Sequence, residues 1–162
     1  MSWMEERKFE WIPLAQDFTQ RLLGGISVVI VTDEKRKWLS DYICKTLNKL
    51  EKNRPFLPMI SFENFSHLLQ DFTQSEDYDL LLDMLNIAFK REFIFWYIGK
   101  TSQKAYKLIK KKEDSFLWVM DEEVQNSFFL RSNDELIETK LISLVRLLDK
   151  TIDAVLFREI VE

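Results

Sequence analysis

The sequence predicts an α/β fold: a three-layer, doubly wound sheet of five parallel strands in the order 2-1-3-4-5. Six of the seven residues from Ile26 to Thr32 are apolar or β-branched. Without a polar residue at every second position, that run reads as a strand covered on both faces. Phe93-Ile94-Phe95-Trp96-Tyr97-Ile98 is a second run of the same kind. Between such runs lie segments of helical period, and strands alternating with helices imply parallel pairing through right-handed crossovers.

Each element follows in turn. From about Pro13 to Leu23, Leu14, Phe18 and Leu22 recur at helical spacing, with Pro13 placed as a first-turn residue and Gly24 as the stop. The strand to Thr32 comes next, and Asp33 is positioned to cap a helix running to about Lys52. Its apolar positions Trp38/Leu39, Tyr42/Ile43, Leu47 and Leu50 face the sheet. Phe56 to Phe62 reads as a second strand, and Pro58 inside it has no N–H for a ladder, which sends the strand to a sheet edge. Glu63–Phe72 and Glu76–Phe89 read as helical pieces, followed by the third strand ending at Gly99. A lysine-rich helix from about Ser102 to Lys111 leads to the strands Phe116–Met120 and Ser127–Leu130, and a long helix from about Asn133 closes the chain. In the order 2-1-3-4-5, the Pro58 strand and the shortest apolar strand take the edges.

The chain of 162 residues fits one domain, residues 1–162, and contains only 3 Gly and 3 Pro, so connections are expected to be short. With 46% hydrophobic residues, 13 Phe and 5 Trp, it is too apolar for disorder and rich in interface material. A net charge of −4 argues against nucleic acid as a direct ligand, because phosphate contacts need a basic footprint. The start Met1-Ser2-Trp3-Met4-Glu5-Glu6 has neither a basic n-region nor an apolar h-region, and no run approaches the roughly 20 apolar residues of a spanning helix. A cytoplasmic protein without membrane contact is expected. The single Cys44 excludes an internal disulfide, and Cys44 with the single His67 cannot complete a tetrahedral zinc site.

In doubly wound sheets, ligands bind beyond the carboxyl ends of the strands, near the switch between strands 1 and 3. There stand Thr32, Asp33, Gly99, Lys100, Asp121, Glu122 and Glu123, with Arg36 as a second cation. Carboxylates so placed can hold Mg²⁺ against a phosphorylated substrate. Asp33 reads equally well as a helix N-cap, and Asp121 to Glu123 as a solvated turn. Phosphate-binding turns carry small residues so that backbone N–H groups reach the anion, whereas this turn carries Glu34, Lys35, Arg36 and Lys37. No catalytic, metal or cofactor residue is therefore assigned.

His67 shows no partner to orient it as a base, and Cys44 reads as a small packed residue. Lys104, Lys107, Lys110, Lys111 and Lys112 form a basic face that reads as solvated, since only Tyr106 interleaves with them. In the last helix, Ile137, Leu141, Leu144, Leu148, Ile152 and Val155 line one stripe, while Thr139, Arg146, Lys150 and Asp153 point away from it. Phe157 falls on the polar side, so Leu156, Phe157 and Ile160 are the candidate partner-binding residues.

Three stretches carry a resemblance to a known family. They are Leu22-Leu23-Gly24-Gly25 with the strand to Thr32-Asp33 and then Trp38 and Asp41-Tyr42-Ile43; Phe95-Trp96-Tyr97-Ile98-Gly99-Lys100 with Ser115-Phe116-Leu117-Trp118; and Phe129-Leu130 through Asp134-Glu135-Leu136, Lys140-Leu141 and Val155-Leu156-Phe157. From about Trp11 to the end, the chain resembles the HobA family. The resemblance implies a fold like the sugar-isomerase (SIS) domain and a homotetramer that binds the N-terminal domain of the replication initiator DnaA. A non-enzymatic regulator that gathers several DnaA molecules at the origin is the function so implied. The alternative is a sugar-phosphate isomerase or sensor using Asp33, Lys100 and the Asp121/Glu122 pair.

Overall fold

The computed structural model describes residues 3–90 and 92–157. Its five strands are β1 (Ser27–Thr32), β2 (Met59–Ser61), β3 (Phe93–Lys100), β4 (Phe116–Met120) and β5 (Ser127–Leu130), and they form one sheet in the order β2-β1-β3-β4-β5. Every pairing is parallel, with Val29 opposite both Ile60 and Phe95, and Ile98 opposite Trp118. The helices are α1 (Trp3–Leu23), α2 (Lys37–Leu47), α3 (Glu63–Ser66), α4 (Ser75–Ala88), α5 (Lys104–Ile109) and α6 (Ile137–Leu156).

Side-chain alternation along the strands divides the core in two. Val28, Ile30, Ile94, Trp96, Ile98, Trp118 and Phe128 face α1, α2 and α6. Val29, Val31, Phe93, Phe95 and Tyr97 face α4 and α5. On the first side, Phe18 of α1 stacks on Phe116 at 4.3 Å, and Trp96 meets Phe18 at 5.2 Å and Trp118 at 5.1 Å. These are the offset and edge-on contacts that aromatic quadrupoles favour.

The first helix begins at Trp3 rather than at Pro13, which lies inside it. Proline deprives the carbonyl four residues earlier of its donor. That residue is Phe9, on the exposed side of the helix, where the carbonyl is open to solvent. The inward stripe is Trp11, Ala15, Phe18 and Leu22. The helix closes through Gly25, whose φ is 99°. The Gly25 N–H donates to the Leu22 carbonyl and the Ile26 N–H to that of Arg21, which is the paired ending that a left-handed residue makes possible.

The helix expected from Asp33 to Lys52 is three pieces: a 3₁₀ turn at Glu34–Arg36, α2, and a second 3₁₀ turn at Leu50–Lys52. Asp33 makes no capping bond. The break comes at Asn48, whose side chain accepts from the Leu57 N–H at 2.7 Å and donates to the Leu57 carbonyl at 2.9 Å, tying the following loop to the helix end. Leu50 is exposed and does not face the sheet, and Trp38 is also partly exposed beside the buried Leu39. The edge strand is shorter than Phe56–Phe62. Pro58 precedes it and contributes only its carbonyl, accepting from the Val28 N–H at 2.8 Å. The last helix starts at Ile137, after a turn in which the Asp134 carboxylate accepts from the Leu136 N–H.

One polar cluster crosses the first core face. Arg54, whose side chain is 1% exposed, donates to Asp149 at 2.6 Å, to Asp153 at 2.5 Å and to the Leu47 carbonyl at 2.7 Å. Lys52 completes it at 2.6 Å from Asp149. Asp153, read from sequence as a residue pointing to solvent, is thus half-buried in an ion network that pins the β2 approach to α6. Cys44 is half-buried, and burial followed by the nearby Asp41 raises its thiol pKa, so it stays a protonated, packed side chain.

Candidate functional site

The carboxyl ends of β1 and β3 bring together Asp33, Arg36 and Lys100 of the residues expected there, with Asp121 of the loop after β4 beside Lys100. Asp33, Glu34, Lys35, Arg36, Lys100 and Gln103 line a cleft of about 320 Å³, with Ser132 at its wall. Thr32 belongs to a smaller crevice beside it, and Glu122 and Glu123 are exposed outside it.

Two ion pairs stand at this cleft. Asp33 and Arg36, both over nine-tenths buried, pair at 2.6 Å, and the Arg36 Nε lies 3.4 Å from Glu138. Lys100 stands 3.6 Å from Asp121. Asp121, held in the left-handed region at φ 70°, accepts from both the hydroxyl and the N–H of Ser132. Those two bonds, the hydroxyl first, hold its carboxyl below the usual carboxylate range.

Beneath the end of β3, in the core cluster on the α4 side, Tyr97 donates its phenol to the Lys100 carbonyl at 2.5 Å. Burial, then the nearby Asp33 charge, raises the phenol pKa. A Cβ at position 99 would lie 3.0 Å from the Tyr97 hydroxyl, so Gly99 serves close approach of this ring to the strand. The turn that would cradle a phosphate is therefore occupied by an internal ion pair. Among the described residues, no group of three or more His, Cys, Asp and Glu side chains is placed to hold a metal ion.

The other candidates separate in space. His67 is exposed on a 3₁₀ turn at His67–Asp71. The lysine face is only partly solvated. Lys104 donates to the carbonyls of Leu69, Gln70 and Phe72, Lys111 pairs with Asp79 at 2.7 Å, and Lys112 sits 4.4 Å over the Phe93 ring. Three of the five lysines thus fasten α5 and its exit to neighbouring elements. Leu156 is the half-buried last residue of α6, Phe157 is 50% exposed just beyond it, and Ile160 lies outside the described residues.

Two features were not expected from sequence. A groove of about 780 Å³ runs at the opposite, amino end of the sheet, lined by Leu14, Phe18, Ile94, Tyr106, Lys110 and Phe116. Arg21 bridges Asp17 at 3.1 Å and Asp114 at 3.5 Å along its wall. On α4, Leu80, Met84 and Ile87 are exposed together. Among the described residues, no helix is long and apolar enough to cross a membrane.

The parallel order β2-β1-β3-β4-β5 with helices on both faces is a three-layer, doubly wound α/β fold, of the kind SIS-like proteins have. A phosphoheptose isomerase from Francisella tularensis superposes with a TM-score of 0.60 at 16% identity, covering 93% of this chain and 94% of that one, a likeness of fold alone. The chain belongs to the HobA family: the family model described as HobA, DNA replication regulator, matches residues 1–162. The DNA replication regulator protein HobA of Helicobacter pylori is 28% identical over 160 residues, covering 98% of this chain and 86% of that protein. The crystal structure of Helicobacter pylori HobA superposes with a TM-score of 0.85 at 26% identity, covering 99% of this chain and 86% of that chain. A structure of a HobA–DnaA (domain I–II) complex from the same organism matches with a TM-score of 0.85 at 25% identity, covering 99% and 87%.

Proposed function

We propose that this chain is a cytoplasmic, non-enzymatic regulator of replication initiation that binds the N-terminal region of DnaA and, as a homotetramer, gathers several DnaA molecules at the origin. The observation that carries the reading is the whole-length likeness to a HobA solved together with DnaA domains I–II. Gathering needs no chemistry: several identical sites on one symmetric scaffold raise the effective concentration of the bound initiators. Residues 1–162 act as one domain in this reading. The paired charges of Asp33, Arg36, Lys100 and Asp121 favour a scaffold over a sugar-phosphate isomerase or sensor, since an incoming phosphate would have to displace them.

The proposed contact is Leu156 and Phe157 with Ile160 beyond them, because a half-exposed phenylalanine at a helix end is available to a partner. Calorimetric titration with the DnaA N-terminal domain tests the reading. Binding is expected, and Phe157→Ala is expected to weaken it by about tenfold, as loss of one well-packed interface aromatic does. The melting temperature should hardly move. No heat at micromolar protein removes the DnaA reading. A large loss of stability in Phe157→Ala removes the contact assignment instead.

A further inference from the structure

Among the described residues, helix α4 is the one long helix on its side of the sheet, and it carries two apolar stripes. Tyr78, Leu81 and Leu85 are buried against the sheet. Leu80, Met84 and Ile87, at i, i+4 and i+7, form a second row on the surface, with Ile87 79% exposed. Two carboxylates, Glu76 and Asp83, run along the solvent flank of that row. Asp77 is used in the helix cap, where it accepts from the Thr73 and Gln74 N–H groups, and Asp79 is paired with Lys111. Glu76 and Asp83 pair with no cation among the described residues.

An apolar row with uncompensated charge on one flank is the form in which helices choose helical partners. The charges also disfavour antiparallel self-pairing. If α4 paired antiparallel with its own copy, the two-fold axis would pass near Asp83 and Met84, keep the acidic flanks on the same side, and set Asp83 beside its mate. Like charges so placed oppose the contact. A helix with lysines or arginines along its flank meets the same face with matched charge.

We propose that the Leu80–Met84–Ile87 face of α4 is a docking surface for a basic amphipathic helix of another protein. It is a second surface, separate from the Phe157 end of α6, and it stands or falls independently of DnaA binding.

The probe is a labelled amphipathic peptide of leucine and lysine, compared with its leucine and glutamate counterpart, titrated into the full chain by fluorescence anisotropy. The lysine peptide is expected to bind saturably and the glutamate peptide not. Ile87→Glu should weaken the lysine peptide by about tenfold, although unspecific attraction to an acidic protein would strengthen it. The paired variant Glu76→Lys with Asp83→Lys should reverse the preference between the peptides, which a misfolded protein would not do. Equal affinity of wild type and Ile87→Glu for the lysine peptide overturns the proposal. So does a fall in oligomeric mass of Ile87→Glu in sedimentation, which would make this face a contact between copies.

Discussion

Replacing Arg54 by methionine is expected to destabilise the protein by about 3 to 5 kcal/mol, because it strands Asp149 in the core beside α2 and α6. Lys52, 2.6 Å from Asp149, remains as a partial counter-charge and places the effect toward the lower end. For a domain of this size, that loss lowers the melting temperature by on the order of ten degrees. The double variant Arg54→Met with Asp149→Leu should recover most of it, since removing both members of a buried ion pair costs far less than removing one. Thermal unfolding of the two variants measures both effects. A change below about 1 kcal/mol in the single variant would show that the network carries little of the fold's stability.

Arg36→Met is the second large effect, again about 3 to 5 kcal/mol, because Asp33 would be left without its partner under near-complete burial. One Asp33 oxygen, Oδ1, already lacks a hydrogen-bond partner, so no neighbouring donor is ready to replace the guanidinium. Asp33→Asn together with Arg36→Met should be milder than Arg36→Met alone. The same residues test the isomerase alternative. A sugar phosphate held by Arg36 and Lys100 at a hundred times its dissociation constant would stabilise the wild-type protein by about 2.7 kcal/mol. A flat thermal-shift response is expected, since both cations are already engaged.

The strands were the most legible part of the molecule. The runs Ile26–Thr32 and Phe93–Ile98 carry their two-sided burial in composition, and the order read from Pro58 and the short Ser127–Leu130 strand is the one observed, although Pro58 lies just before β2 and β2 is the shorter of the two edge strands. Helix limits were less legible, because they depend on contacts between distant residues. Pro13 marks a start only when the carbonyl of Phe9 cannot find water, and here Phe9 faces outward. Asn48 breaks a helix of good period by holding Leu57.

At the site, sequence placed Asp33, Arg36, Lys100 and Asp121 correctly at the strand ends but could not show that they neutralise one another. Asp33–Arg36 is a local pair, whereas Asp121 is satisfied by Ser132 and Arg54 by residues nearly a hundred positions away. Asp153 looked solvated because nothing in its own helix announces Arg54. The second stripe of α4 was hidden for a different reason. Leu80, Leu81, Leu82, Met84, Leu85 and Ile87 are apolar on several sides, and only packing separates the inward row from the outward one.

The mass of the protein by light scattering, alone and mixed with the N-terminal domain of DnaA, is the decisive measurement. The scaffold reading expects a tetramer that gains several copies of the initiator domain. A monomer, or an oligomer whose mass is unchanged by saturating initiator domain, would contradict it.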